Sequence, residues 1–220
     1  DRTLGIGRKI GMGGNMTEYT LKQFQKELAS QAPVPGGGGA CAYVAALGMS
    51  LGTMVANLTT GKKKYEQYQE EIDKLITQTG KISDELLEGI EKDAKAFKPL
   101  AKAYGLPKDT DEQKKEKEKV MEAALITASE APLELMEKIM EAVILLDRLS
   151  EIGSRIAISD AGVGIQFAKA ALNGASLNVF INTKLMKDTA KAKELNDKAD
   201  AILKRGNELS LIHISEPTRH

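Results

Sequence analysis

The chain has 220 residues, of which 42% are hydrophobic and 28% charged, a composition typical of a globular protein with one core. Its 31 lysines and arginines balance 31 aspartates and glutamates, so the formal net charge is zero at neutral pH. Because such a chain creates no overall field that attracts polyanions, neither nucleic acid nor a membrane surface is predicted as a partner.

The two ends of the chain differ from the rest. Residues 1–15 carry five glycines without periodicity, and Met16 opens a plausible native start, so residues 1–15 are predicted to be a non-native or disordered leader. Residues 209–220 break the preceding helical pattern, and foreign origin is one interpretation of this atypical tail. Both histidines, His213 and His220, lie in the tail, so the domain predicted over residues 16–208 contains no histidine.

A short amphipathic helix is predicted first, over residues 21–28. Thr20 supplies a hydroxyl at the N-cap position, and Leu21, Phe24 and Leu28 fall on one face. The pattern is that of a helix with one side against the core.

The most informative segment is Pro-Val-Pro-Gly-Gly-Gly-Gly at residues 33–39, which leads directly into an apolar run rich in small residues. The prolines keep the approach extended, and the glycines let the backbone come close to a ligand. At the start of the helix predicted over residues 38–59, unpaired N–H groups can hold an anion or an electron-rich heterocycle. A flexible linker is the alternative, although prolines without serine are not typical of one.

The helix over residues 38–59 is apolar on nearly every side, which predicts a central position. Ser50, Thr53 and Asn57 interrupt the apolar run, so it is not predicted to span a membrane. The single cysteine, Cys41, is interpreted as a packing residue. A chain without a possible internal disulfide indicates a cytoplasmic location.

Polar residues cluster where this helix ends, at Gly61, Lys62, Lys63, Lys64 and Tyr65. Three consecutive lysines could neutralise the carboxylates of an acidic ligand. Helix termination at Gly61, with cations at the negative end of the helix dipole, is the alternative.

The rest of the chain is also predicted to be helical. A stretch over residues 62–104, which Gly80 or Gly89 could interrupt, precedes a helix that restarts at residues 109–111 with a charged, solvent-exposed beginning. Pro132 is predicted at the start of a further helix, and three more segments are predicted over residues 159–172, 177–187 and 189–204. No alternating strand pattern occurs, so the predicted fold class is all-α, an up-and-down helical bundle.

A second polar group combines Ser159 and Asp160 with two asparagines further on. An N-cap is the usual role of a Ser-Asp pair. Asn178 and Asn182, however, lie four residues apart on one helical face among apolar neighbours. Buried amides are costly unless each finds a partner or a ligand, so a ligand site is the second interpretation.

Taken in order, these segments resemble the cyclodeaminase/cyclohydrolase family of tetrahydrofolate enzymes, which includes formimidoyltetrahydrofolate cyclodeaminase and methenyltetrahydrofolate cyclohydrolase. The resemblance runs from about residue 16 to residue 206. One departure is the small pair Gly39-Ala40, where relatives often have a serine. The matching segments are residues 33–40, 57–65, 93–97, 106–108, 131–133, 159–163 and 177–182.

This resemblance implies a helical subunit that forms a homodimer and binds a folate near the glycine segment. The glycine segment would form a backbone cradle, the second polar group would face the pterin or the one-carbon bridge, and the lysine cluster would meet a glutamate tail of one or more residues. The substrate-binding residues implied are Pro35, Gly36, Gly37, Gly38, Gly39, Lys62, Lys63, Tyr65, Ser159, Asn178 and Asn182.

The activity implied is hydrolysis of 5,10-methenyltetrahydrofolate to 10-formyltetrahydrofolate, with the folate as substrate and no prosthetic group. The substrate is an amidinium cation, so the site needs a carboxylate that stabilises positive charge and accepts a proton from water. Without a histidine in the domain, Asp160 is the first candidate for this catalytic carboxylate and Asp93 the second. No His/Cys cluster occurs in the sequence, so no catalytic metal is predicted.

Two alternatives stay open. A formimidoyltetrahydrofolate cyclodeaminase would close N10 onto the imine carbon, expel ammonia and form the same cation. A helical interaction module without activity is the other alternative, and it leaves the Pro-Gly segment and the paired asparagines unexplained. A stand-alone chain of this length favours the cyclohydrolase.

Overall fold

The computed structural model describes residues 14–214, with side chains described through residue 209. Apart from Gly14 and Asn15, the predicted leader lies outside the described residues, as do residues 215–220 of the predicted tail. Between these limits the chain is helical without a strand, which confirms the all-α prediction for this part. The six α-helices are α1 (Leu21–Leu28), α2 (Gly37–Thr59), α3 (Gln69–Tyr104), α4 (Asp111–Ile152), α5 (Ile158–Thr183) and α6 (Thr189–Ile214).

Helix α1 begins with the predicted cap and lies over α2. The Gln23 N–H donates to the Thr20 hydroxyl, and the Gln23 side chain accepts from the Thr20 N–H, which completes a capping box. The buried Phe24 ring lies 5.2 Å from the Tyr43 ring of α2. Leu21 and Leu28, predicted on the same inner face, remain exposed.

Helix α2 occupies the centre of the fold. It packs against α3 on one side and α5 on the other, with α4 behind. A Cβ built on Gly48 would lie 2.8 Å from the Gly164 carbonyl oxygen of α5, so this close approach of two backbones requires glycine. Of the helices in the described part, α2 is the one long and apolar enough to cross a membrane, and packing in the protein interior accounts for that composition.

Consecutive helices of the bundle α2–α5 run in opposite directions. Arg148, late in α4, pairs with Glu71, early in α3, whereas Lys138 pairs with Glu85 further along α3. Helix α6 packs on the outside against α4 and α5. The bundle therefore has two ends, and the position of a residue along its helix determines the end at which it lies.

Three predicted helix boundaries are wrong. Helix α3 continues through Gly80 and Gly89, α4 continues through Pro132, and the two segments predicted on either side of residue 174 form the single helix α5. At Gly89 the missing side chain leaves room for Ala42 of α2 and Leu135 of α4. Packing between helices outweighs the local helix-breaking tendency of these residues.

Apolar side chains remain exposed along one side of α2 and of α5. Their spacing keeps them on a single face of each helix. Phe167 borders Gly48 where the two helices cross, so the two stripes adjoin. This surface, called the α2–α5 face below, comprises Leu47, Met54 and Leu58 together with Val163, Phe167, Leu177 and Ile181, which are 37% to 67% exposed.

The contact between Gly48 and Gly164 predicts opposite effects of two neighbouring substitutions. A Cβ at Gly164 would lie 2.7 Å from the Gly48 carbonyl oxygen, so Gly164→Ala should destabilise the protein by about 1–3 kcal/mol. Gly162 has no neighbour within 4 Å, so Gly162→Ala should stabilise the helix by about 0.5–1 kcal/mol. Thermal and chemical unfolding measure both changes, and equal stabilities would contradict the close approach.

Candidate active site

The predicted glycine cradle forms the first turn of α2. Gly36 is the N-cap residue and no side chain caps the helix there, so the first N–H groups, those of Gly37 and Gly38, have no partner within the helix. Pro35, which follows a cis peptide bond from Val34, is buried beneath the turn. Backbone donors at this turn are therefore free to meet a polar ligand.

Asp93 of α3 packs against this turn. The Gly39 N–H donates to Asp93 Oδ2 at 3.0 Å. A Cβ built on Gly38 would overlap the Asp93 carboxylate, so only glycine allows the carboxylate to lie there. The glycine segment thus serves to admit an acidic side chain as well as to expose its own N–H groups.

The environment of Asp93 changes its acidity. Burial raises the pKa of the Asp93 carboxyl above its usual value, and the hydrogen bond from Gly39 only partly offsets this. Burial, followed by the nearby charge of Asp93, also raises the pKa of the Cys41 thiol to about 11. The thiol is therefore protonated at neutral pH, which fits the packing role predicted for Cys41.

A cavity of about 230 Å³ opens beside Asp93, between α3 and α4. Gly89, Pro132 and Leu135 form apolar parts of its wall, and Lys138 stands among several glutamates at its rim. The cavity connects an apolar surface, suited to a flat ring, with a carboxylate suited to proton transfer.

The two asparagines predicted at the site lie at the same end of the bundle. A Cβ at Gly37 would be 3.6 Å from Asn178 Oδ1, so this amide lies against the first turn of α2. The Asn178 Nδ2 donates to the Gly174 carbonyl at 3.1 Å. Asn182, one turn further along α5, donates its Nδ2 to the Ala128 carbonyl of α4 at 2.8 Å.

The predicted lysine cluster lies at the opposite end. Lys62 Nζ donates to Ser154 Oγ at 3.3 Å, and the Tyr65 hydroxyl accepts from the Arg155 N–H at 3.0 Å. That hydrogen bond is the main reason why the pKa of Tyr65 is lowered. Lys63 is exposed beside them. Helix α2 ends there as predicted, with Gly61 at φ 71°.

Ser159 and Asp160 also lie at that second end, in the first turn of α5. Ala157 is the N-cap residue of α5, so the N-cap interpretation of the Ser-Asp pair is wrong. Asp160 precedes Asn178 by eighteen residues on one continuous helix, a separation of about 27 Å at 1.5 Å per residue. Within one subunit, therefore, Asp93 lies beside the glycine turn and Asp160 does not.

The cavity wall on α4 was not predicted as part of the site. Ala131, Pro132 and Leu135 line the cavity, yet none of them was predicted as a site residue. The available signal was a proline in an otherwise regular helical pattern, which was interpreted as a helix start.

Comparison with known proteins shows the family. A sequence profile of the formiminotransferase-cyclodeaminase family matches residues 20–201. The chain belongs to this family. It is 38% identical over 199 residues to methenyltetrahydrofolate cyclohydrolase of Methylorubrum extorquens, which covers 90% of this chain and 94% of that protein.

Other relatives are longer or more distant. Formimidoyltransferase-cyclodeaminase of Gallus gallus is 31% identical over 192 residues, which cover 87% of this chain but 36% of that protein. The crystal structure of formiminotetrahydrofolate cyclodeaminase from Thermotoga maritima matches in fold, with a TM-score of 0.72 at 24% identity over 91% of this chain and 100% of that one. The family resemblance drawn from the motifs is confirmed, and so is the prediction of an enzyme.

The half-buried carboxylate of Asp93 predicts a pH-dependent stability. Because the pKa of Asp93 is raised in the folded state, wild-type stability falls as pH rises from about 3.9, the ordinary value, through the raised one. Asparagine carries no charge and still offers Oδ1 to the Gly39 N–H. Asp93→Asn should therefore match or exceed the wild-type Tm at pH 7, with no advantage below about pH 3.9.

Thermal unfolding of both proteins between pH 3 and pH 8 measures this difference. A variant that is clearly less stable than wild type at pH 7 would mean that the Asp93 charge is well solvated or paired.

Proposed function

We propose that this protein is a methenyltetrahydrofolate cyclohydrolase, which converts 5,10-methenyltetrahydrofolate and water to 10-formyltetrahydrofolate. Its relative of that name in M. extorquens matches over nearly the full length of both chains. The observation that carries the proposal is the Asp93 carboxylate, half-buried between the first turn of α2 and the cavity on α3 and α4.

Asp93 meets the two needs of this reaction. The methenyl group shares its positive charge between N5 and N10, so a carboxylate beside it stabilises the bound cation. Burial strengthens that attraction because less water screens it. The pKa of Asp93 is raised toward neutral pH. A carboxyl group with such a pKa is better suited both to accept a proton and to return it.

The proposed steps use Asp93 for proton transfer. Asp93 accepts a proton from water as the water oxygen bonds to the carbon between N5 and N10. The bond from that carbon to N5 then breaks, N5 takes the bonding electrons, and protonated Asp93 returns its proton to N5. The new hydroxyl group loses its proton to solvent as the formyl C=O forms.

Backbone and amide groups would orient the substrate. The N–H groups of Gly37 and Gly38 can donate to ring or formyl oxygens, and the Asn178 amide lies against the same turn. The apolar cavity wall would hold the flat pterin. These steps require neither a metal nor a prosthetic group, and we place the reaction in the cytoplasm, where Cys41 stays reduced.

A cyclodeaminase activity is the second candidate. It is favoured by the G. gallus relative, whose name includes that activity. The same carboxylate and cavity would serve, because closure of N10 onto the formimino carbon passes through a related tetrahedral intermediate. The non-enzymatic module has no comparable support, because the chain belongs to an enzyme family.

We also propose that the protein is a homodimer joined through the α2–α5 face. Seven large apolar side chains on two adjoining helices are more exposed surface than a monomeric protein usually carries in one patch. A two-fold axis in the plane of this face and across the helices would set the subunits antiparallel.

This arrangement brings the two predicted groups of residues together. The end that carries Lys62, Tyr65 and Asp160 in one subunit would lie beside the glycine turn and Asp93 of the other. Lys62 and its neighbours would then meet the glutamate tail, and Asp160 would approach the Asn178 side of the glycine turn from across the subunit boundary, because the cavity between α3 and α4 faces away from the α2–α5 face. A site shared between two subunits would explain why Asp160 and the lysine cluster lie far from the glycine turn within one subunit.

The activity is tested with purified protein by following methenyltetrahydrofolate absorbance. We expect loss of absorbance from the methenyl compound and no enzymatic gain from 5-formiminotetrahydrofolate. Asp93→Asn should lower kcat by about 100-fold or more, since it removes the proton acceptor. Asp160→Asn should lower kcat by about 100-fold as well if its charge completes the partner's site.

Co-expression of Asp93→Asn and Asp160→Asn chains separates a composite site from a site within one subunit. Half of the randomly mixed dimers then hold one intact site of two, so activity should recover to about a quarter of wild type. Recovery to no more than the single-variant level would exclude a shared site, and near-normal turnover of Asp160→Asn alone would remove Asp160 from the mechanism.

The dimer is tested at the centre of the α2–α5 face. Sedimentation equilibrium of the wild type should give twice the chain mass of 23.8 kDa. Phe167→Glu should shift this toward the monomer by about 100-fold or more in dissociation constant, because it places a charge in an apolar interface. Ile144→Glu, at an exposed apolar residue of α4 outside this face, should leave the dimer intact.

A further inference from the structure

Helix α4 contains a buried proline whose backbone defect is repaired by another helix. Pro132 lies in the interior of α4, has no N–H and cannot donate to the Ala128 carbonyl, its normal partner four residues earlier. The Asn182 Nδ2 of α5 donates to that carbonyl at 2.8 Å. Since a carbonyl oxygen only accepts, the Asn182 side chain takes the place of the missing proline donor.

A second proline in the protein shows when such a repair is needed. Pro99 lies inside α3 and leaves the Lys95 carbonyl without its helical donor. Pro99 and Lys95 are both exposed, so water can supply the hydrogen bond. Ala128 is only 6% exposed and Pro132 is buried, so at this position water has little access and a protein donor is required.

The repaired segment belongs to the wall of the cavity beside Asp93. Ala131, Pro132 and Leu135 line that cavity from α4. Asn182 therefore joins α5 to the α4 wall, while Asn178, one turn away, lies against the glycine turn of α2. Besides the packing of α4 on α5, this hydrogen bond is a direct polar tie between the wall segment and α5.

We propose that Asn182 is a positioning residue, whose side-chain amide substitutes for the missing Pro132 N–H and holds the α4 wall of the cavity opposite Asp93. The effect on catalysis rests on the function proposed above, whereas the structural coupling does not. This role differs from the substrate contact that the sequence resemblance implied for Asn182, because its amide nitrogen is already engaged by α4.

The coupling is tested by a double-mutant cycle on stability, measured without substrate. Asn182→Ala should lower the Tm by about 2–4 °C, because it leaves the Ala128 carbonyl buried without a donor. In a Pro132→Ala background, residue 132 regains its N–H, and the additional effect of Asn182→Ala should fall below about 1 °C. Pro99→Ala is the matched control, and in its background the effect of Asn182→Ala should remain undiminished.

Kinetics separate positioning from direct substrate contact. Asn182→Ala should lower kcat/KM by about 10-fold or more in the wild-type protein and by less than about 2-fold when it is added to Pro132→Ala, whose own kcat/KM is the reference because Pro132 lines the cavity. An Asn182 side chain that contacts the substrate would give the same loss in both backgrounds, and that result would overturn the positioning role.

Asn182→Asp decides the question independently if Pro132→Ala does not fold. Aspartate has nearly the same size but at neutral pH offers no donor to the Ala128 carbonyl, so its Tm should fall at least as far as that of Asn182→Ala. A Tm equal to wild type would overturn the proposal, even if the protein proved inactive toward folates. If the double-mutant cycle gives the expected Tm values but the protein has no activity toward folates, the proposed function is refuted. The role of Asn182 as the donor to the Ala128 carbonyl is then still supported.

Discussion

The hydrogen bond from the Gly39 N–H to the Asp93 carboxylate determines how the candidate site is built. It joins the start of the central helix α2 to the last third of α3, and it requires glycine at position 38, where any side chain would overlap the carboxylate. The carboxylate is thereby withdrawn from water and placed beside the cavity on α3 and α4. The contact partly offsets the effect of burial on the pKa of Asp93, and it leaves Gly37 and Gly38 as the first-turn residues whose N–H groups have no partner within the helix.

A second constraint is the length of the helices. Helix α5 is continuous and runs antiparallel to α2, so its last turns lie beside the glycine turn and its first turn lies at the other end of the subunit. Asp93 therefore lies at one end of the subunit and Asp160 at the other. In the dimer proposed above, the apolar α2–α5 face would bring opposite ends of two subunits side by side. Helices α2 and α5 thus each have two faces. The inner face carries glycines in close contact, and the outer face carries large exposed apolar side chains.

Much of the fold follows from local sequence signals. The cap at Thr20, the apolar character of α2 and the end of that helix at Gly61 were predicted because each depends on residues close in sequence. The helix start predicted at Pro132 was wrong, and the interruption considered at Gly80 or Gly89 does not occur. Neighbouring helices supply what the local sequence lacks, because Ala42 and Leu135 fill the space beside Gly89 and Asn182 provides the donor at Pro132. No pattern within α4 alone could reveal a partner fifty-four residues away on α5.

The site shows the same limit. The glycine segment and the asparagines were recognised as unusual, but the order of the two candidate carboxylates could not be judged from the chain. Asp93 lies in an ordinary amphipathic helix, and its importance arises only from contact with a segment fifty-four residues earlier. Asp160 lies in a more distinctive motif, yet within one subunit it is remote from the glycine turn.

The raised pKa of Asp93 has a consequence for the evolution of this fold. A charge that opposes folding persists in a lineage only while selection for turnover retains it, since asparagine fits the same space without the electrostatic penalty. Descendants recruited as inert scaffolds should therefore lose the acid at this position early and keep the bundle around it. Under the function proposed above, a carboxylate at position 93 would distinguish active members of the family from inactive ones.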